Sequence, residues 1–222
     1  MPQESLLPLL NGLRILIIYD NFYTLGSLCF YAAPYYLIKG GNVYAVLYSE
    51  HVYRNAKKIY EYVSKNYPMF SEILNGINVV KIGVNDDISF GKPYRFINEN
   101  DNWIDHLTEL MENVNEEDLI VLFGFSLLVP IYKDDAPKFF LKMYNAIPEG
   151  VTVFCPYYKK TYENYPSDFI DLLHDVVFYI RRNEAFLDQE VYTLEILQGL
   201  VGVLKPMSIN FKIEKDFKLK RI

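Results

Sequence analysis

Histidine, cysteine and tryptophan are nearly missing from this chain: three, two and one residue in 222. So few thiols, Cys29 and Cys155, and both inside apolar runs, exclude a disulfide scaffold and suit a reducing compartment. His51, His106 and His174 stand apart from each other and from both cysteines, which leaves no metal-ligand spacing. Positive charge is also short: 22 Lys and Arg against 28 Asp and Glu give a net charge of −6. That balance argues against nucleic acid as a partner. No apolar run reaches the roughly 18 residues that a membrane helix needs. The N-terminal MPQESLLPLL lacks the basic n-region of a secretory leader, so the expected location is the cytoplasm.

What the chain does have is apolar bulk. Half of it is hydrophobic and 16% is aromatic, with 20 Tyr and 15 Phe, enough for a full core. No repeat or Pro/Gly/Ser linker divides it, so residues 1–222 are expected to form one domain. Leu13–Tyr19 reads as a buried strand, and Gly26–Ser27 opens an apolar helix that stops at Lys39–Gly40–Gly41. Asn42–Tyr48, Ile77–Ile82, Leu119–Phe123, Val151–Cys155 and Asp175–Ile180 read as further strands, mostly unalternating, as parallel strands covered on both faces are.

Helices are expected over Tyr53–Tyr67, Asp101–Val114, Asp134–Ala146 and Ser167–Leu173, with Gly83–Asn100 a loop. Glu190–Leu197 and Ser208–Leu219 follow as strands with no helix between. The expected fold class is therefore α/β: a three-layer α/β/α arrangement around a mostly parallel sheet, ending in an antiparallel strand pair.

Strand, loop and helix at Leu13–Gly41 match the scaffold of a P-loop, whose pattern is G-x-x-x-x-G-K-[ST]. Its eight positions fall on Asp20, Asn21, Phe22, Tyr23, Thr24, Leu25, Gly26 and Ser27. The order of elements, with SLLPLLNGLRILIIY, NVYAVLYSE, DLIVLFGFS and GVTVFCP, resembles the RecA/RadA/KaiC-like branch of the P-loop ATPases, nearest to archaeal members with degenerate nucleotide sites. The resemblance runs from about Ser5 to Lys218 and implies a RecA-like fold.

It also marks what is altered. Asp20 and Leu25 stand where that family has its glycines, and Gly26 stands at the lysine; only Ser27 keeps its type. Losing the lysine removes a charge-assisted contact to phosphate, worth about 1.5–3 kcal/mol, and Asp20 adds a like charge. Ser27, a magnesium ligand by resemblance, serves equally as a helix N-cap. Phe123 and Gly124 occupy the Walker B position, where a metal-holding acid belongs, and Asp118 lies at the other end of that strand. Glu50 matches the glutamate that activates water; without a phosphate loop it reads as a solvated or a strand-end carboxylate.

ATP hydrolysis by the family's route is therefore not expected, nor is a cofactor. The expected role is non-catalytic binding of a protein or peptide, homologous RecA-like subunits included. Tyr157, Tyr158, Tyr162 and Tyr165, in the polar run YYKKTYENY, are the candidate contact surface. The alternatives are an ATPase that draws its cation from Lys57, Lys159 or Lys160, and a small-ligand protein that uses the crevice at the strands' carboxyl ends. The acid pairs Asp86–Asp87 and Asp134–Asp135 read as solvated loop and helix-cap positions.

Overall fold

A computed structural model describes residues 6–21, 29, 32–66, 68–164, 167–182, 191–199, 205–213 and 219–221. A short helix α1 (Leu6–Leu9) leads into strand β1 (Arg14–Tyr19), whose RILIIY run is apolar because it is covered on both faces. Helix α2 is described over residues 32–38. The chain continues through β2 (Val43–Tyr48), α3 (Glu50–Asn66), α4 (Pro68–Leu74), β3 (Asn78–Gly83), β4 (Lys92–Asn98) and α5 (Trp103–Met111). Then come β5 (Leu119–Phe123), α6 (Leu128–Tyr132), α7 (Ala136–Ala146), β6 (Thr152–Tyr158), α8 (Lys159–Glu163), α9 (Ser167–Leu172) and β7 (Val176–Arg182). Strands β8 (Val191–Gln198), β9 (Met207–Ile213) and β10 (Leu219–Arg221) complete it.

All ten strands form one sheet in the order β10-β9-β8-β7-β1-β6-β5-β2-β3-β4. From β7 to β4 every pairing is parallel; β8, β9 and β10 are added antiparallel. The expected α/β class with a mostly parallel sheet is what is observed. The terminal antiparallel pair is present, and β10 extends it.

Alternation along β1 builds the three layers. Ile15, Ile17 and Tyr19 pack with Ala32, Ala33 and Tyr36 of α2, Val52, Tyr53, Ala56 and Ile59 of α3, and Leu74 of α4. Leu16 and Ile18 pack on the opposite face, with Leu107 and Met111 of α5, Phe140 and Tyr144 of α7, and Ile170 of α9. Every residue of β2, β3 and β5 is buried. Burying each of these aliphatic side chains stabilises the fold by roughly 1.5–3 kcal/mol before conformational entropy is counted.

Two sequence readings need correction here. The segment Gly83–Asn100 is not wholly a loop, because Lys92–Asn98 pairs with β3 as the edge strand β4. Its first three residues are exposed and it contains Pro93, so it carries no burial period to read. The helix expected to stop before Pro68 does end, at Asn66, but a second helix, α4, was not expected and begins at Pro68, since a proline suits the first turn of a new helix.

At the amino end of the sheet the polar groups are structural. Asp118, 1% exposed, accepts from the backbone N–H of Asn42 (2.7 Å) and of Asn115 (3.0 Å), tying β5 to the start of β2. His174 is buried between a carbonyl and a hydroxyl. Since the Ile170 carbonyl can only accept, Nδ1–H donates to it (2.7 Å) and Nε2 accepts from the Tyr144 hydroxyl (2.6 Å). Burial, above all, pushes the His174 pKa down to about 4 from 6.5.

The sign of the pH effect follows. The neutral ring favours the folded state fully above pH 6.5, and that contribution is lost as pH falls from 6.5 toward 4, by about 3 kcal/mol in all. Thermal unfolding between pH 7 and pH 4 should show the loss, and His174→Gln should flatten that part of the profile. An unchanged slope in the variant would assign the loss to other groups.

Candidate functional site

Open α/β sheets hold ligands at the carboxyl ends of strands, where neighbouring connections leave in opposite directions. Two such points occur here. The chain leaves β1 toward β2 but leaves β6 toward β7, and it leaves β5 toward β6 but β2 toward β3. The first point holds the end of β1 and the second holds the ends of β5 and β2.

At the first point Tyr19 is buried and packs against the ring of Tyr158 (centroids 5.8 Å apart), while Asp20 and Asn21 are exposed. Burial, above all, raises the pKa of the Tyr19 hydroxyl, so it stays protonated. The remaining phosphate-loop positions, Phe22, Tyr23, Thr24, Leu25, Gly26 and Ser27, lie outside the described residues. Of the three candidate lysines, Lys57 sits on α3 near Glu61 (3.9 Å), and Lys160 is exposed on α8. Lys159 is the one at this point: it leaves the end of β6, and its amine lies 5.2 Å from the Tyr179 ring centroid on β7, on the far side of β1. It also faces Glu163 at 3.6 Å, so its charge already has partners.

At the second point Phe123 is 2% exposed and belongs to the core. Gly124 has φ +84°, and a Cβ there would lie 2.7 Å from both the Tyr48 carbonyl oxygen and Val52 Cγ2. The backbone thus leaves no room for a side chain at this position. Phe123, Gly124 and Phe125 offer no side-chain oxygen to a metal ion, so the end of β5 does not fit the metal that the family resemblance implies.

Glu50 differs from its sequence reading. Ser49 ends β2 with φ +86°, its hydroxyl accepts from the Val52 N–H (3.4 Å), and α3 begins at Glu50. This places the carboxylate beside β3 rather than in open solvent. Its Oε1 lies 3.0 Å from Nζ of Lys81, with the two side chains 18% and 1% exposed. The buried ammonium also donates to Asn85 Oδ1 (2.6 Å) and the Asp87 carbonyl (3.0 Å), and lies 4.3 Å from the Tyr53 ring centroid. Three donors therefore meet three acceptors, the arrangement a buried ammonium requires. Asn85 N–H donates to the same Glu50 oxygen (3.3 Å). Gly83 makes the approach possible, since a Cβ there would lie 2.7 Å from Glu50 Oε1.

Lys81 is thus the residue the sequence reading missed. Its signal was present: a lysine inside the apolar run NVVKIG needs a buried partner.

The tyrosine surface needs correction as well. Tyr157 is wholly buried on β6, where both faces of the strand are covered, so it cannot line a contact surface. Tyr158 and Tyr162 are half-buried, the Tyr162 hydroxyl donating to the Asp171 carboxylate at 3.0 Å from each oxygen; Tyr165 lies outside the described residues. His51 bonds Asn55 (3.0 Å) on α3 and His106 is exposed on α5. Asp86 and Asp87 are exposed in a loop, and Asp135 pairs with Lys138 (2.7 Å) before α7. No group of three metal-binding side chains occurs among the described residues, and no helix among them is long and apolar enough to cross a membrane.

No protein-family model matches the chain, and no curated relative does either. Solved structures match its fold. A KaiC-like protein from Pyrococcus horikoshii OT3 superposes with a TM-score of 0.59 at 11% identity, over 96% of this chain and 90% of that one. The flagellar accessory protein FlaH of Methanocaldococcus jannaschii gives 0.56 at 15% identity, over 100% and 96%. An uncharacterized Pyrococcus horikoshii protein, in complex with an unknown peptide, gives 0.61 at 11% identity, over 96% and 93%. With the sheet order and the layers described above, the chain has the RecA-like fold of the KaiC-like proteins and FlaH.

Proposed function

We propose that this RecA-like domain binds a protein or peptide and does not hydrolyse ATP. The observation that carries the reading is the Glu50–Lys81 pair. A carboxylate that activates water must be directed at that water. Here Glu50 Oε1 accepts from Lys81 and from the Asn85 N–H, both on the β3 side of β2. The order β1-β6-β5-β2 sets β2 three strand spacings from β1, about 14 Å. The closed backbone at Gly124 supports the same reading, because it leaves no room for an acid at that position.

The partner half of the reading is supported by the neighbour of the same fold that holds a peptide. Homologous subunits are partners of the same kind, and nucleic acid does not suit the net charge of −6.

Titrating the purified protein with ATP and Mg²⁺ by calorimetry, with thermal unfolding alongside, tests the nucleotide half. No heat and no thermal shift at millimolar ATP are expected. Micromolar binding would overturn the reading. For the partner half, selection from a random peptide library should enrich a common motif that binds the domain with micromolar Kd; failure to enrich any motif counts against a peptide.

A further inference from the structure

The segment after β3 is held down by a small set of buried groups. Val84, Asn85, Asp86, Asp87 and Ser89 are exposed, yet polar atoms of Asn85, Asp87 and Ser89 bond buried groups. At one end, Lys81 reaches Asn85 Oδ1 and the Asp87 carbonyl, and Glu50 receives the Asn85 N–H. At the other, the Tyr53 hydroxyl receives the Ser89 N–H (2.7 Å) and meets the Ser89 hydroxyl (3.2 Å). Phe90, 4% exposed, is seated between the rings of Tyr53 (5.4 Å) and Tyr60 (5.2 Å). Tyr53 also lies against the Lys81 ammonium, so the two ends share one buried residue.

We propose that residues 84–91 are a strap that opens as one unit, with the Lys81–Glu50 pair and the Tyr53 hydroxyl as its latch. The strap buries little apolar surface apart from Phe90 and the half-buried Ile88, whereas β2 and β3 beneath it are buried throughout. Segments of that kind open locally at free energies well below that of global unfolding. Coupling comes from shared acceptors and donors: lifting Asn85 removes one Lys81 acceptor and one Glu50 donor together, and lifting Asp87 removes a second Lys81 acceptor. Closed, the strap engages both charges. Open, it turns the Glu50 carboxylate and the Lys81 ammonium toward solvent at the margin where β2 ends. The strap therefore governs how far the Lys81–Glu50 pair is open to solvent, and this holds whether or not the domain binds nucleotide.

Amide hydrogen exchange, followed residue by residue by NMR, tests the unit. In the unmodified protein the Asn85 and Ser89 amides should share one opening equilibrium, and Val80 and Ile82 of β3 should be much better protected. Tyr53→Phe removes only the hydroxyl, at the Ser89 end. It should speed exchange about tenfold at both Ser89 and Asn85 while leaving Val80 and Ile82 unchanged. Lys81→Met should speed the same two amides more strongly. Acceleration at Ser89 alone in Tyr53→Phe would overturn the proposal, and so would equal acceleration across β3.

Discussion

Glu50→Ala should destabilise the protein by about 3 kcal/mol, the low end of what removing one partner of a buried ion pair costs. The variant strands the Lys81 ammonium, 1% exposed, with only the neutral oxygens of Asn85 and Asp87 as partners. Lys81→Met leaves the Glu50 carboxylate, which retains 18% exposure and so some access to water, and should cost less. Replacing both residues with apolar ones should recover much of the loss, because no buried charge is then left unpaired. Urea unfolding of the four proteins, read by circular dichroism and fluorescence together, measures the coupling. A Glu50→Ala effect within about 0.5 kcal/mol of zero would mean that the pair is solvated after all. It would also remove the main support for treating Glu50 as non-catalytic.

Gly124→Asp should fail to restore a metal site, at a cost of about 2–5 kcal/mol. The figure joins the strain of a non-glycine residue at φ +84°, about 1–2 kcal/mol, to overpacking of about 1–3 kcal/mol. The overpacking arises because the new Cβ would lie 2.7 Å from the Tyr48 carbonyl oxygen, a backbone atom that cannot turn aside. Gly124→Ala is the control: it carries the same backbone cost without the charge, so the two variants should melt at similar temperatures. A Gly124→Asp protein that melts like the parent and gains stability on adding Mg²⁺ would show that this strand end tolerates a Walker B acid. The reading of the second switch point would then fail.

The Gly124 prediction rests on backbone geometry at a position the sequence had already singled out. The Glu50 prediction rests on a contact that no linear reading contained.

The amino-acid sequence alone determined the class of fold, the strands β1, β2, β3, β5, β6 and β7, and the helices α2, α3, α5, α7 and α9 over them. Continuous apolar runs such as RILIIY and LIVLF have one stable use in water, a parallel strand covered on both faces, and that preference is local. Near the candidate site it was the P-loop pattern and the resemblance to the RecA-like branch that singled out Asp20, Phe123, Gly124 and Glu50 as the positions to examine.

Tertiary structure decided the rest, because the deciding contacts join residues far apart in the chain. Edge strand β4 exists only because β3 offers it hydrogen bonds; the first three residues of its own KPYRFIN are exposed and it shows no period. Tyr157 belongs to the core because its face of the sheet is covered by the layer that holds Phe125 and Ile170, although the polar run around it reads as surface. Lys81 meets Glu50 across 31 positions, a pairing that needs β2 beside β3, the turn at Ser49 and the absent side chain of Gly83. Desolvation makes that contact mandatory, since a buried ammonium must find its acceptors wherever the fold places them.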